Sequence, residues 1–111
     1  IHVRTTIVAE SQIAHIVYFT LNDNNPDRIE QLCASCRHYL TGHDGTIYFS
    51  VGTLVPDLDR PVNQRDFDVA LHVIFADRDS HDRYQVSDRH LEFIALNKES
   101  WSQVRVFDAH V

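Results

Sequence analysis

Apolar residues run together or alternate in four short stretches of this chain and recur at helical spacing in the segments between them. Residues 14–22 (Ala-His-Ile-Val-Tyr-Phe-Thr-Leu-Asn) are rich in β-branched and aromatic side chains and predict a strand that is apolar on both faces. Asp23-Asn24-Asn25-Pro26 breaks it. Asn25 suits a helix N-cap and Pro26 the first helical position. Ile29, Leu32, Cys33, Cys36 and Leu40 then form one apolar stripe on a helix, and Gly42 suits its end. A second strand is expected over 46–54, followed by a polar loop over 56–66 that holds two prolines. The third strand, 67–76, has the clearest pattern. Asp79 or Ser80 can cap a short helix that includes Tyr84, and Ser87 or Asp88 restarts a helix carrying His90, Leu91, Phe93, Ile94 and Asn97. The last strand is expected over 101–110. Residues 1–13 are weakly patterned and read as an N-terminal arm or added edge strand, leaving one domain over 14–111.

The order β-α-β-β-α-β predicts an α+β, ferredoxin-like subunit: a four-stranded antiparallel sheet with its helices on one face. Strand periodicity of two divides each strand between two faces. His15, Val17, Phe19, Leu21, Ile47, Phe49, Val51, Val69, Leu71, Val73, Phe75, Val104 and Val106 share one face, almost wholly apolar, that should take the helices. The opposite face carries Ile16, Tyr18, Tyr48, Asp68, His72, Ile74, Arg105 and Phe107, too apolar to stand in water. Helices on one face cannot cover the other. Face-to-face packing of two sheets in a twofold homodimer would bury it, with Tyr18, Tyr48, Asp68, His72 and Phe107 on the dimer face.

Composition narrows the function classes. With 111 residues there is room for one domain, which excludes TIM barrels, two-domain dehydrogenases and kinases. Ten Lys+Arg against sixteen Asp+Glu give a formal charge of −6, which disfavours nucleic acid and anionic membrane surfaces as partners. No apolar run is long enough for a transmembrane helix, no signal-peptide core opens the chain, and a cytoplasmic protein is the expectation. Cys33 and Cys36 fall mid-helix on the apolar stripe, where they read as buried structural thiols; no second cysteine pair completes a zinc site. No glycine-rich phosphate loop and no nucleophile elbow is present.

Three segments now carry a resemblance. The opening His15-Ile16-Val17-Tyr18-Phe19-Thr20-Leu21, the segment Phe67-Asp68-Val69-Ala70-Leu71-His72-Val73-Ile74-Phe75, and Tyr84-Gln85-Val86-Ser87-Asp88-Arg89-His90-Leu91-Glu92-Phe93 resemble the motifs of the Dabb, or stress-responsive α/β-barrel, family. The resemblance implies a subunit that pairs through its sheets into a dimeric barrel. Most members look like small proteins of unassigned biochemical role, often linked to stress. A minority act on aromatic or polyketide substrates in a pocket between sheet and helices. In a polyketide cyclase of this kind the motif histidine matches His90, the motif tyrosine Tyr84 and the first-strand histidine His15. Its second strand-borne pocket histidine falls at Val69, and the proline two residues before the motif histidine is Asp88.

Eight histidines are the unusual entry in the composition. His90 shares a helix face with Phe93, Ile94 and Asn97, and His15 lies on the helix-facing side of the first strand, so the two can meet beside Tyr84. A partly buried histidine with a pKa near neutrality and a tyrosine hydroxyl suit proton abstraction beside a carbonyl. The alternative is a packed histidine that ties helix to sheet. Phe93, Asn97 and Val69 are the expected binding residues around them. His2, His38, His43, His81 and His110 read as surface residues, and no metal set or organic cofactor is expected. Two readings stay open: a ligand-binding or purely structural homodimer, and a small cofactor-free lyase, isomerase or cyclase using His/Tyr acid–base chemistry. A ferredoxin-like monooxygenase is a third, weaker one.

Overall fold

The computed structural model describes residues 11–111. Four strands, β1 (Ile13–Leu21), β2 (Thr46–Thr53), β3 (Val69–Phe75) and β4 (Trp101–His110), form one antiparallel sheet in the order β2-β3-β1-β4. Helices α1 (Pro26–Tyr39), α2 (Arg78–Val86) and α3 (Asp88–Asn97) complete the ferredoxin-like order. The expected N-terminal arm falls largely outside the described residues.

Local chemistry sets the element ends. The Asn25 side chain accepts from Arg28 N and Pro26 opens α1, as the sequence predicts. Gly42 closes the following turn at φ 75°, in the left-handed region that a residue without Cβ enters at little cost. Gly45, at φ 82°, is held more tightly: a Cβ there would fall 2.0 Å from Ser80 Oγ. The cap of α2 corrects the sequence reading. Asp77, not Asp79 or Ser80, accepts from Ser80 N at 2.8 Å, so the helix starts earlier. Ser87 caps α3 by accepting from His90 N.

The core lies between helices and sheet. Val17, Phe19 and Leu21 from β1, and Val69, Leu71, Val73 and Phe75 from β3, pack against Leu32, Cys33, Cys36 and Leu40 of α1 and its C-terminal end, together with Tyr84 and Phe93. Both thiols are buried and free, and burial pushes Cys36 up to about 12. Three residues depart from the expected inner face. Ile47 is 53 % exposed because the β2–β3 register shifts between Thr46 and Tyr48, and this irregularity interrupts the alternation. Val104 and Val106 hold the helix-side phase but are 39 % and 51 % exposed, since β4 is an edge strand.

Candidate functional site

The β1–β4 register places His15 directly across from Asp108. His15 Nδ1 lies 2.5 Å from Asp108 Oδ1. An ionised carboxylate only accepts, so the proton sits on Nδ1 and Nε2 faces the Gln85 amide nitrogen at 3.5 Å. From above, α2 brings Tyr84 down on the sheet. Its ring is packed at 4.7 Å from His90, 4.9 Å from His43, 4.9 Å from Phe75 and 5.9 Å from His15. Tyr84 is 2 % exposed, and its hydroxyl has no protein partner. Nor has Nδ1 of His90.

His15, Tyr84, Gln85 and His90 line a pocket of about 170 Å³ between helices and sheet. Val17, Phe19, Phe93 and Trp101 supply apolar wall, and half-exposed Val104 and Val106 lie at its β4 side. Of the expected binding residues, Phe93 is on this wall. Asn97 is not: its amide donates to Ser35 Oγ at 2.8 Å and to the Phe93 carbonyl at 2.9 Å, tying α3 to α1. Val69 is wholly buried at the start of β3, away from the pocket wall.

Electrostatics here is governed by burial. It lowers His90 to about 4; nearby His15 adds to this, and the Gln85 backbone opposes it. The expected near-neutral pKa is therefore corrected: His90 is an uncharged imidazole at pH 7 and a weak base. Burial also lowers His15, against the upward pull of the Asp108 hydrogen bond and charge. Tyr84 is raised well above an ordinary phenol, again by burial, and stays protonated. The chemistry on offer is a protonated phenol, a neutral imidazole and a carboxylate-oriented imidazole around an apolar hole.

Two pocket neighbours, His43 and His81, correct the surface reading. His43 is half-buried, with Nε2 2.7 Å from the Tyr39 carbonyl oxygen and its ring against Tyr84. His81 packs at 5.2 Å from His15 and 5.7 Å from Phe75. A signal for His81 was available, since it lies three residues before Tyr84 and so shares its helix face. Asp108 was visible too, as an acidic residue in phase with Val104 and Val106. His38 and His110 are exposed, as expected, and His2 lies outside the described residues.

The opposite sheet face holds a larger concavity of about 690 Å³, walled by Tyr18, His72, Phe107, Arg105 and the loop between β2 and β3. Phe67 and Phe107 pack on Tyr18 at 4.9 and 5.9 Å, and Arg105 pairs with Asp66 at 2.8 Å. Tyr48 is exposed on the neighbouring strand. Asp68 is used differently from the expected interface contact. It accepts from Leu21 N at 2.8 Å and from the Asn24 amide at 3.3 Å, closing the end of β1.

Among described residues, no helix is long and apolar enough to cross a membrane. No curated protein matches the chain. Solved structures do. The fold is similar to that of a dimeric ferredoxin-like protein of unknown function from Thermobifida fusca (18 % identity, TM-score 0.75, covering 99 % of this chain and 100 % of that one). It is similar to a Dabb family protein with a ferredoxin-like fold from Mesorhizobium loti (18 %, TM-score 0.76, 92 % and 98 %). A hydroxynitrile lyase from Passiflora edulis also shares it (19 %, TM-score 0.73, 91 % and 94 %). The family model for the stress responsive A/B barrel domain matches residues 13–111, from the first residue of β1 to the end, and the chain belongs to that Dabb family.

Proposed function

We propose that this protein is a homodimer closed through its open sheet faces, and that each protomer binds one small apolar or aromatic molecule between helices and sheet. One observation carries the ligand reading: Tyr84, His90 and His15 converge on a pocket whose remaining walls are largely apolar. Sites of that build, apolar with a few placed polar groups, are where small ligands bind. Size limits the ligand class. An apolar cavity of about 150 Å³ accommodates a benzene ring. The 170 Å³ here suits a single ring or a short aliphatic carbonyl compound rather than a polyketide chain. Exposed Tyr48 and Phe107 on the other face support the dimer, as does the dimeric description of the Thermobifida fusca relative. Two free, buried thiols suit the reducing cytoplasm expected from the sequence.

A second reading rests on the Tyr84 hydroxyl, which is buried and lacks a protein partner. In a cofactor-free lyase or isomerase a small movement of the ring would open it to the pocket, where it would donate to a substrate oxygen. His15, oriented by Asp108, would take the proton from the substrate, and neutral His90 would hydrogen-bond it in place. The hydroxynitrile lyase relative makes a lyase the first class to assay.

A thermal-shift screen with monocyclic phenols, benzaldehydes and small ketones tests the ligand reading. Compounds that raise the melting temperature should lose the effect in Val106→Trp, which fills the pocket's β4 side. A screen without stabilising compounds, or stabilisation untouched by Val106→Trp, overturns it.

A further inference from the structure

His15, His81 and Asp108 bring one potential ligand atom each to within 4.8 Å of one another. From this cluster we infer a site for one divalent first-row transition-metal ion, which shares His15 with the ligand pocket and goes beyond the function proposed above. The residues come from three elements. His15 and Asp108 face each other across β1 and β4, and α2 lays His81 over them.

The hydrogen bonds already sort the donors. His81 Nδ1 donates to Asp82 Oδ1 at 2.9 Å, so the proton is on Nδ1 and the lone pair on Nε2. That Nε2 is buried and has no hydrogen-bond partner. A carboxylate behind an imidazole whose other nitrogen is free is the arrangement that orients histidine ligands on metals. His15 can present Nδ1 by shifting its proton to Nε2, where the Gln85 amide, once rotated, accepts it. Asp108 supplies an anionic oxygen. Two imidazoles and one carboxylate are a ligand set for zinc with an open position, and equally for other first-row ions.

Space agrees with a cation, and charge sets the competition. Arg78 lies beside the cluster, hydrogen-bonded to Asp82 at 2.9 Å and also drawn by the Asp108 charge, so an ion competes with it for that carboxylate. His81 and Asp108 also line a cavity of about 240 Å³, which gives an ion an approach and room for a fourth ligand; exposed His110 is on its wall. Ligand atoms around zinc lie roughly 3.3 Å apart when each is about 2.0 Å from the ion. The 2.5 Å His15–Asp108 contact must therefore open by under an ångström, and His81 must close in.

Isothermal titration of the full chain with zinc sulfate, repeated with cobalt(II) and visible absorption, tests the site. The expected result is one ion per chain and a four-coordinate cobalt spectrum. His81→Ala and Asp108→Asn should each remove binding, with far-ultraviolet circular dichroism confirming that they fold. Asp82→Asn, which releases the His81 ring and also loosens Arg78 beside the cluster, should weaken binding by about 10–100-fold. His38→Ala, on the exposed face of α1, should leave it unchanged. Absence of zinc binding by the wild type, or binding that survives His81→Ala and Asp108→Asn, overturns the inference. His15 belongs to both sites, so ligand binding beside Tyr84 is read separately by Val106→Trp, which leaves the three metal ligands in place.

Discussion

Replacing Tyr84 by phenylalanine removes one oxygen and leaves the ring contacts with Phe75, His43 and His90 in place. The hydroxyl is closed to bulk water and finds no protein partner. Keeping such a group buried costs about 1–3 kcal/mol relative to a site that satisfies it. Tyr84→Phe should therefore stabilise the fold by about 1–2 kcal/mol, unlike most core substitutions. For a domain of roughly this size, each kcal/mol raises the melting temperature by about 4–8 °C. Trp101 is a convenient probe: it is the single tryptophan, half-buried, and packs on Phe19 at 5.0 Å and Phe93 at 5.8 Å. Urea unfolding followed by its fluorescence, at one protein concentration because dimers gain stability by mass action, gives the number. Binding of phenols or carbonyl compounds should weaken in the same variant. A variant less stable than the wild type would mean that the hydroxyl is bonded within the fold. The hydroxyl would then not be held free for a ligand.

Burial of His90 predicts a pH profile. Its pKa is 6.5 in an open chain and about 4 when folded, so above pH 6.5 both states are neutral and the residue adds no slope. Between pH 6.5 and about 4 the unfolded chain takes the proton first, and stability falls by about 2–3 kcal/mol in total. His90→Gln should flatten that part of the profile; an unchanged profile in the variant contradicts the assignment. The homodimer predicts twice the chain mass in multi-angle light scattering, and Phe107→Glu, on the exposed sheet face, should yield a folded monomer. A monomeric wild type at micromolar concentration would remove the interface. Cys36, wholly buried and pushed up to about 12, should resist aromatic disulfide reagents until the protein unfolds; labelling within the mixing time would contradict its place in the core.

The fold was legible because local signals agreed. Asn25-Pro26 marked the first helix, alternation assigned two faces to each strand, and β-branched runs marked β1 and β3. What escaped depends on relations between elements. Ile47 has the right phase for the core, but a register irregularity interrupts the alternation at the start of β2. Val104 and Val106 are in phase as well, yet the exposure of an edge strand follows from how α2 and α3 sit across the sheet. The site was legible in part. Tyr84, His90 and His15 converge as the residues suggested, whereas Asn97 bonds to α1 and Val69 sinks into the core. The pKa of His90 is a matter of burial depth, which helix periodicity does not reveal. The spacing of His81 to Tyr84 is a weak signal, because α2 is largely polar and its inward face has little apolar pattern to support it.

On the proposed function, Tyr84, His90 and His15 form the polar end of a small ligand pocket. The most direct measurement is a ¹H–¹⁵N and imidazole chemical-shift titration with the strongest compound from the thermal-shift screen. Saturable shifts are expected in the His15 and His90 rings and the backbone of Tyr84, Gln85 and Phe93, with little change at His72 or Phe107 across the sheet. Shifts confined to His72, Phe107 and the loop between β2 and β3 would contradict it.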